Sequence, residues 1–433
     1  MTMINFLKTK KIDRVLLNIA ICCHIISWVI FTPVFQFEMI LFNRRIFTFF
    51  HFGLLEMLSL FILIFKRGKI TLNSFSKLFI STIIVFLFSC LVNVLWNSNI
   101  DLYTVSFYLM TWVLPFILLF VITQYKIDKK DIINIMYFMV FVCIIHALLI
   151  FIQRLSNNLI WPFLDYGNGE AVFFSDNGYY GDYMNRCPGL TISGLDAGIL
   201  LIFGLVAINC IKAKKIIKNV IIMLFISAIP FTGTRNIYIL ALYVLAVFFI
   251  YKIIKARKLR NRMLIISTIF FSIFYFLAIS SVKTFKSTGN LLTDNMSIMY
   301  RTQAWDNVLN LILKSPFIFK MFGNLSWQQI GGPLVDNLFL ETFYCSGIIS
   351  MVLMIIIVIK MSKKCSYYKT DISSFTAAFM LGFFVYGVLN GMSNFYFTLI
   401  IILYTFICAI EKSSSFDVCN KLKFKNELFE VNP

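Results

Sequence analysis

Charge is scarce in this sequence. Only 14% of its 433 residues are Asp, Glu, Lys or Arg, against 60% hydrophobic residues and a mean hydropathy of +0.85. A water-soluble core has no need of so much apolar surface, so the composition points away from soluble classes and toward a membrane protein. Glycine is modest, at 19 residues. No internal repeat and no low-complexity segment is present. No Cys-x-x-Cys pairing suggests zinc. The ten cysteines lie mostly inside apolar runs, at Cys22, Cys23, Cys90, Cys143, Cys210, Cys345 and Cys408, where they act as small hydrophobes. Cys187 is the one placed in an outer loop, so no loop disulfide is expected. The first apolar run follows Lys8, Lys10, Lys11 and Arg14 but lacks a small-residue cleavage site, as in a retained signal-anchor. No Asp-x-Asp motif marks a nucleotide-sugar enzyme with a bound divalent ion, so neither a metal nor a cofactor is expected.

Acidic residues are the scarcer charge, 20 against 39 Lys and Arg, giving a net +19. Such an excess invites a nucleic-acid partner. It is not expected here, because the cations sit in short linkers between apolar runs, the distribution that sets membrane topology. Repeated runs of roughly 18–23 residues are long enough to cross a hydrocarbon core of about 30 Å, and backbone polar groups in lipid must be satisfied within the segment, so the runs predict helices. The expected fold is all-α and polytopic, with about twelve transmembrane helices and two large extracytoplasmic loops. The spans fall near 15–35, 46–65, 78–95, 105–123, 133–152, 193–211, 220–231, 237–254, 263–281, 337–359, 375–390 and 395–410. The seventh is short enough to pair with the eighth as a tight hairpin. This divides the chain into N-terminal helices (1–152), a loop (153–192), central helices (193–281), a larger loop (282–336), C-terminal helices (337–411) and a tail (412–433).

Alternate linkers carry the lysines: Lys66, Arg67 and Lys69; Lys126, Lys129 and Lys130; Lys212, Lys214, Lys215 and Lys218; Lys255, Arg257, Lys258, Arg260 and Arg262; Lys360, Lys363, Lys364 and Lys369. With these inside, both termini are cytoplasmic and both long loops lie outside. Arg44 and Arg45 break the pattern, in the first outer loop.

Three outer arginines stand against the positive-inside trend: Arg186 before the sixth span, Arg235 at the seventh–eighth turn, and Arg301 in the larger loop. A guanidinium fork suits phosphate oxygens, and the competing role is snorkelling to lipid headgroups. The first loop is rich in aromatic and acidic residues, including Asp182, which together with Asp196 is placed to orient Arg186. Such a loop suits a saccharide, whose C–H faces pack on flat rings; an interfacial aromatic belt has the same composition. The most polar stretch, Arg301 to Gly347, carries Trp305, Asp306, Trp327, Asp336, Asn337 and Glu341. Asp336 suits a general base or the N-cap of the tenth span, and Glu341 lies one helical turn after Asn337. Mid-span, Glu56, His24 and His146 suit either interhelical hydrogen bonds or an intramembrane proton path.

Several of these pieces, in this order, resemble the O-antigen ligase/polymerase superfamily, most closely its Wzy-type polysaccharide polymerases. Arg186-Cys187-Pro188-Gly189-Leu190 is similar to the family's Arg-x-x-Gly-Leu element entering a span, and Thr232-Gly233-Thr234-Arg235 to its Ser/Thr-x-Ser/Thr-Arg turn. Arg301 and Trp305 stand like its outer-loop Arg and Trp, followed by Pro316 and Gly323. Asp336-Asn337, then Gly347, stand where the ligases carry His-Asn and a glycine, so this chain departs from the ligases at the base. The resemblance spans residues 185–350 in ordered pieces.

It implies a metal-independent glycosyltransferase in a bacterial inner or cytoplasmic membrane. Donor and acceptor would be oligosaccharides linked to undecaprenyl pyrophosphate. Arg186, Arg235 and Arg301 would bind the pyrophosphate, with Asn337, Trp305 and Asp182 also contacting substrate, and Asp336 or Glu341 would serve as base. Implied partners are the lipid bilayer and the flippase and chain-length regulator of the same pathway. The alternatives are a ligase delivering glycan to a second acceptor, or a transporter of lipid-linked oligosaccharide.

Overall fold

A computed structural model describes residues 12–27, 29, 46–64, 70–96, 100–125, 129–156, 187–191, 194–254, 256–280, 296–325, 337–365 and 371–389. Among them every regular element is a helix and none is a strand. The chain runs α1 (Ile12–Ile26), α2 (Ile46–Ile64), α3 (Ser74–Trp96) and α4 (Leu102–Tyr108), then a π-helical turn (Leu109–Val113) into α5 (Leu114–Thr123). There follow α6 (Lys129–Ser156), α7 (Gly194–Cys210), α8 (Lys215–Ala228) with a 3₁₀ turn (Ile229–Thr232), α9 (Arg235–Ile253) and α10 (Arg257–Ser280). The last are α11 (Met296–Lys314), α12 (Phe317–Phe322), α13 (Leu338–Cys365) and α14 (Asp371–Leu389).

Each of the first eleven apolar runs read from the sequence overlaps one of these helices. The twelfth run, the tail and most of the first loop lie outside the described residues. Among the described residues, five helices are long and apolar enough to cross a bilayer: Ser74–Trp96, Leu102–Thr123, Lys130–Ser156, Lys215–Thr232 and Leu338–Cys365. Large apolar side chains project outward from several helices, among them Phe50, Met57 and Ile64 of α2 and Phe270, Ile273 and Phe274 of α10. Water would penalise such faces and hydrocarbon does not, so this is a membrane protein.

Local chemistry sets the helix ends. Asn73 Oδ1 accepts the Phe75 and Ser76 N–H groups at 3.0 and 2.8 Å and starts α3. Asp101 Oδ1 does the same for α4 through Thr104 N–H at 2.8 Å. Each cap stabilises by about 1 kcal/mol. The π-helical turn has a cause too: Pro115 has no N–H to return to the carbonyl four residues back, and the ladder widens just before it.

At the centre stands α7, buried along nearly its whole length. A helix apolar all round belongs inside a bundle. Its close neighbours are α6, α8, α9 and α14, and at Gly198 a side-chain carbon would strike Ile237 of α9 at 2.3 Å. The tight hairpin expected of the seventh and eighth runs is not the packing observed. α8 lies on α6 and α7, whereas α9 lies chiefly on α14, with Phe248 stacked on Phe375 at 3.8 Å. The 3₁₀ turn, closed by Gly233 at φ +60°, carries the chain between those layers.

Hydrogen bonds between antiparallel helices sort the chain connections to two ends. At one end, the Tyr125 hydroxyl donates to Ile62 O at 2.6 Å, Thr71 N–H to Gln124 Oε1 at 2.9 Å, and the Tyr137 hydroxyl to Lys212 O at 2.8 Å. Lys364 stands 5.0 Å from the Phe75 ring centroid, and Arg260 closes the C-terminus of α9 by donating to Tyr251 O and Ile254 O at 3.2 and 3.3 Å. Basic stretches on alternate connections thus share an end. The end of α6, the starts of α7, α9 and α13, and α12 form the other.

Candidate functional site

At the end away from the basic linkers, three chain segments are pinned to one another. The turn at residues 187–191 receives both of its inner bonds from α6: Gly189 N–H donates to Gln153 Oε1 at 2.8 Å, and Gln153 Nε2 donates to Gly189 O at 3.2 Å. Leu190 N–H donates to His146 Nδ1 at 2.9 Å, and His146 Nε2 lies 3.2 Å from Ala197 O. An Nδ1 that accepts leaves the proton on Nε2, so His146 is a neutral bridge between α6, the turn and α7. Gly189 has φ +58°, and a β-carbon there would stand 2.6 Å from the His146 ring. Neither the backbone angle nor the space admits another residue easily.

The same turn is joined to the one before α9. Cys187 N–H donates to Phe231 O at 2.9 Å, and a β-carbon at Gly194 would lie 2.1 Å from Thr232 O. The two short motifs singled out in the sequence, around Gly189 and around Gly233, are therefore hydrogen-bonded neighbours. Cys187 is buried. Burial pushes its thiol up to about 11, with the Arg154 guanidinium opposing that shift.

Arg235 is the first residue of α9 and half-buried. A cation at a helix N-terminus opposes the macrodipole, at a cost of roughly 0.3–1 kcal/mol. Helix stability therefore does not explain it, while an anion would be drawn to both the guanidinium and the positive end of the helix dipole.

A second assembly lies at the same end. Trp305 of α11 is buried and stacks on Phe276 of α10, 5.0 Å between centroids and 9° between planes. It packs with Val308, Leu340, Tyr344 and Cys345, and Ile239 of α9 joins the cluster. Arg301 stands one helical turn from Trp305, Arg235 one turn from Ile239, and Glu341 directly follows Leu340. Three elements carrying charged candidates thus meet around one small apolar cluster. The Trp305 indole N–H is buried there and meets no hydrogen-bond partner among the described residues. Arg301 and Glu341 are half-buried, the latter in the first turn of α13, where an acid suits the dipole.

Two glycines lock α12 onto α13. Gly323 ends α12 at φ +82°, and Gly347 kinks α13 at φ +80°. A β-carbon on Gly323 would strike the Cys345 carbonyl at 2.3 Å, and one on Gly347 the Met321 carbonyl at 2.0 Å. Asn324 N–H reaches Tyr344 O at 2.6 Å. From α3, Asn93 grips this turn on both sides: Nδ2 donates to Gly323 O at 3.0 Å, and Oδ1 accepts from Leu325 N–H at 2.9 Å. Ser89, one turn earlier, donates to Phe322 O.

Asn337 is buried and starts α13. Its Oδ1 accepts from Phe339 and Leu340 N–H at 3.0 and 3.1 Å, and its Nδ2 donates to Val388 O at 3.4 Å. The capping role considered for Asp336 is filled by its neighbour. Arg186, Asp182 and Asp336 themselves lie outside the described residues.

Sequence reasoning passed over Asn93, Ser89, Gln153 and Arg154. A lone amide in an apolar run was the available signal for Asn93, since such groups in lipid need partners. Of the mid-span groups it did weigh, His24 Nε2 lies 3.3 Å from Ser59 Oγ and 3.5 Å from Glu56 Oε1, joining α1 to α2. His51 Nε2 lies 2.8 Å from Ser27 Oγ and adds a second tie.

No protein-family model matches the sequence, and no curated protein shows significant similarity to it.

Proposed function

We propose that this chain is a polymerase of lipid-linked polysaccharide repeat units, of the O-antigen, capsule or exopolysaccharide kind, working at the extracytoplasmic face of a bacterial cytoplasmic membrane with both termini inside. One observation carries the reading: the turn that follows Arg186 is hydrogen-bonded, through Cys187 N–H and Phe231 O, to the turn that delivers Arg235. That end also receives Arg301 and Glu341 around the Trp305 cluster, and it faces away from the lysine-bearing linkers.

In the proposed reaction the acceptor sugar's hydroxyl oxygen attacks the anomeric carbon of the donor glycan. The carbon–oxygen bond to undecaprenyl pyrophosphate breaks, and the bonding pair leaves with the pyrophosphate. Arg186, Arg235 and Arg301 hold that diphosphate and stabilise its developing charge, and the N-terminus of α9 adds aligned N–H groups. The hydroxyl proton passes to a carboxylate, Asp336 or Glu341. Trp305, Asp182 and Asn337 belong to the substrate-binding surround; for Asn337 this acts through the start of α13, which its amide fixes. A flippase would supply the donor, and a chain-length regulator would limit the product.

The test is reconstitution in liposomes with repeat units on undecaprenyl pyrophosphate. Product ladders without added acceptor support a polymerase, and transfer only to a second acceptor supports a ligase. Neither, with movement of the lipid across the bilayer, supports a transporter, the reading that the buried His24–Glu56 pair favours. Cysteine labelling that places positions 186 and 301 on the cytosolic side, or on opposite sides, defeats the proposal.

A further inference from the structure

Gln153 and Arg154 close α6, and the preceding bonds fix where Arg154 stands. Gln153 is tied to Gly189 by two hydrogen bonds, so the backbone of the next residue is registered against the 187–191 turn. The Arg154 guanidinium lies 5.9 Å from the centroid of the Phe231 ring. That ring is held edge-on by Phe151 at 5.3 Å, and its own carbonyl accepts the Cys187 N–H. The side chain is exposed, and among the described residues it meets no carboxylate. Arg154 therefore stands beside the Cys187–Phe231 junction, whose second turn runs on into Arg235.

We infer that Arg154 is a further diphosphate-binding residue, set beside the Cys187–Phe231 hydrogen bond. This rests on the polymerase reading of the same site. Three features argue for a ligand rather than a lipid anchor. The position is set by a rigid helix and a clamped turn, the preorganisation that a binding group needs. A guanidinium placed over the Phe231 ring keeps its edge donors available, as a planar fork allows. And the residue sits at the end of the bundle remote from the basic linkers, where topology alone gives no reason for a cation. The ligand chemistry is a phosphate ester, and its two sources are a polyprenyl diphosphate and the headgroup of a bulk anionic phospholipid.

The two are separated with the full-length protein in nanodiscs of zwitterionic lipid. Binding of farnesyl diphosphate and farnesyl monophosphate is measured by native mass spectrometry, alongside retention of phosphatidylglycerol. Arg154→Ala is expected to weaken diphosphate binding about tenfold, the worth of one lost charge-assisted hydrogen bond, and to lower the preference for diphosphate over monophosphate. Arg154→Lys, which keeps the charge but not the fork, is expected to restore monophosphate binding more fully than diphosphate binding. A purely structural role would leave the diphosphate preference unmoved. If Arg154→Ala leaves both farnesyl ligands bound as in the parent while Arg235→Ala does not, the inference is overturned and the polymerase reading stands. If neither substitution matters, the site reading falls with it. Loss of phosphatidylglycerol retention alone makes Arg154 a headgroup anchor and also overturns the inference.

Discussion

The two ends of the bundle use cations differently. At the end that gathers the basic linkers, Arg260 donates to the last carbonyls of α9 and lies over Tyr251 at 4.3 Å, and Lys364 rests on Phe75. These charges finish helices, as cations at C-termini do. At the other end, Arg235 opens a helix, and Arg154 lies beside a clamped turn. The protein puts its numerous cations where they serve topology and helix ends, and a few where neither purpose explains them. The comparison teaches that the manner of holding a charge, rather than its abundance, separates scaffold from site.

The largest effect should come from the lock beneath the site. Gly347→Ala meets the Met321 carbonyl and a left-handed backbone together, and should cost about 3 kcal/mol or more. Gly53→Ala in α2 meets nothing within 4 Å and should change stability by less than about 1 kcal/mol, in either direction. Thermal unfolding in detergent of the two variants measures this, and equal shifts would mean α12 is not locked on α13. Next, Arg235→Gln should reduce ladder formation by about a hundredfold, with the melting temperature nearly unchanged. Its counterpart Arg260→Gln should do the reverse: ladders persist while stability falls by about 3 kcal/mol, the worth of two charge-assisted bonds. Activity loss in the second without the first would invert the contrast between the ends. The smallest effect is chemical. Cys187, buried with its thiol raised to about 11, should resist maleimide at neutral pH in the folded protein and react on denaturation. Rapid labelling of the folded protein at Cys187 would show that the turn junction is open.

Much of the scaffold was legible before any coordinates. Uninterrupted apolar runs fall on α2 to α10, with ends displaced by up to about six residues, because segment length and backbone satisfaction leave a chain in lipid few choices. The Gly189 and Gly233 turns were legible as motifs, but their contact was not: it depends on Gln153 and His146 reaching from α6, residues far away in sequence. The Gly323–Gly347 lock was illegible for the same reason, since each glycine is required by the backbone of the other's segment rather than by its own neighbours. Asp336 and Asn337 are adjacent residues of equal capping aptitude. The Val388 carbonyl of α14, which receives the Asn337 amide, accompanies the choice between them, and no local pattern encodes it.

The grip of Asn93 on Leu325, together with the anchoring of Asn337 to Val388, fixes two posts in the bundle. Each post is a buried amide that joins one helix to a neighbour: Asn93 of α3 to the turn after α12, and Asn337 at the start of α13 to the end of α14. Losing either amide therefore loosens two helices at once, because the partner left behind carries the full cost of an unsatisfied buried group.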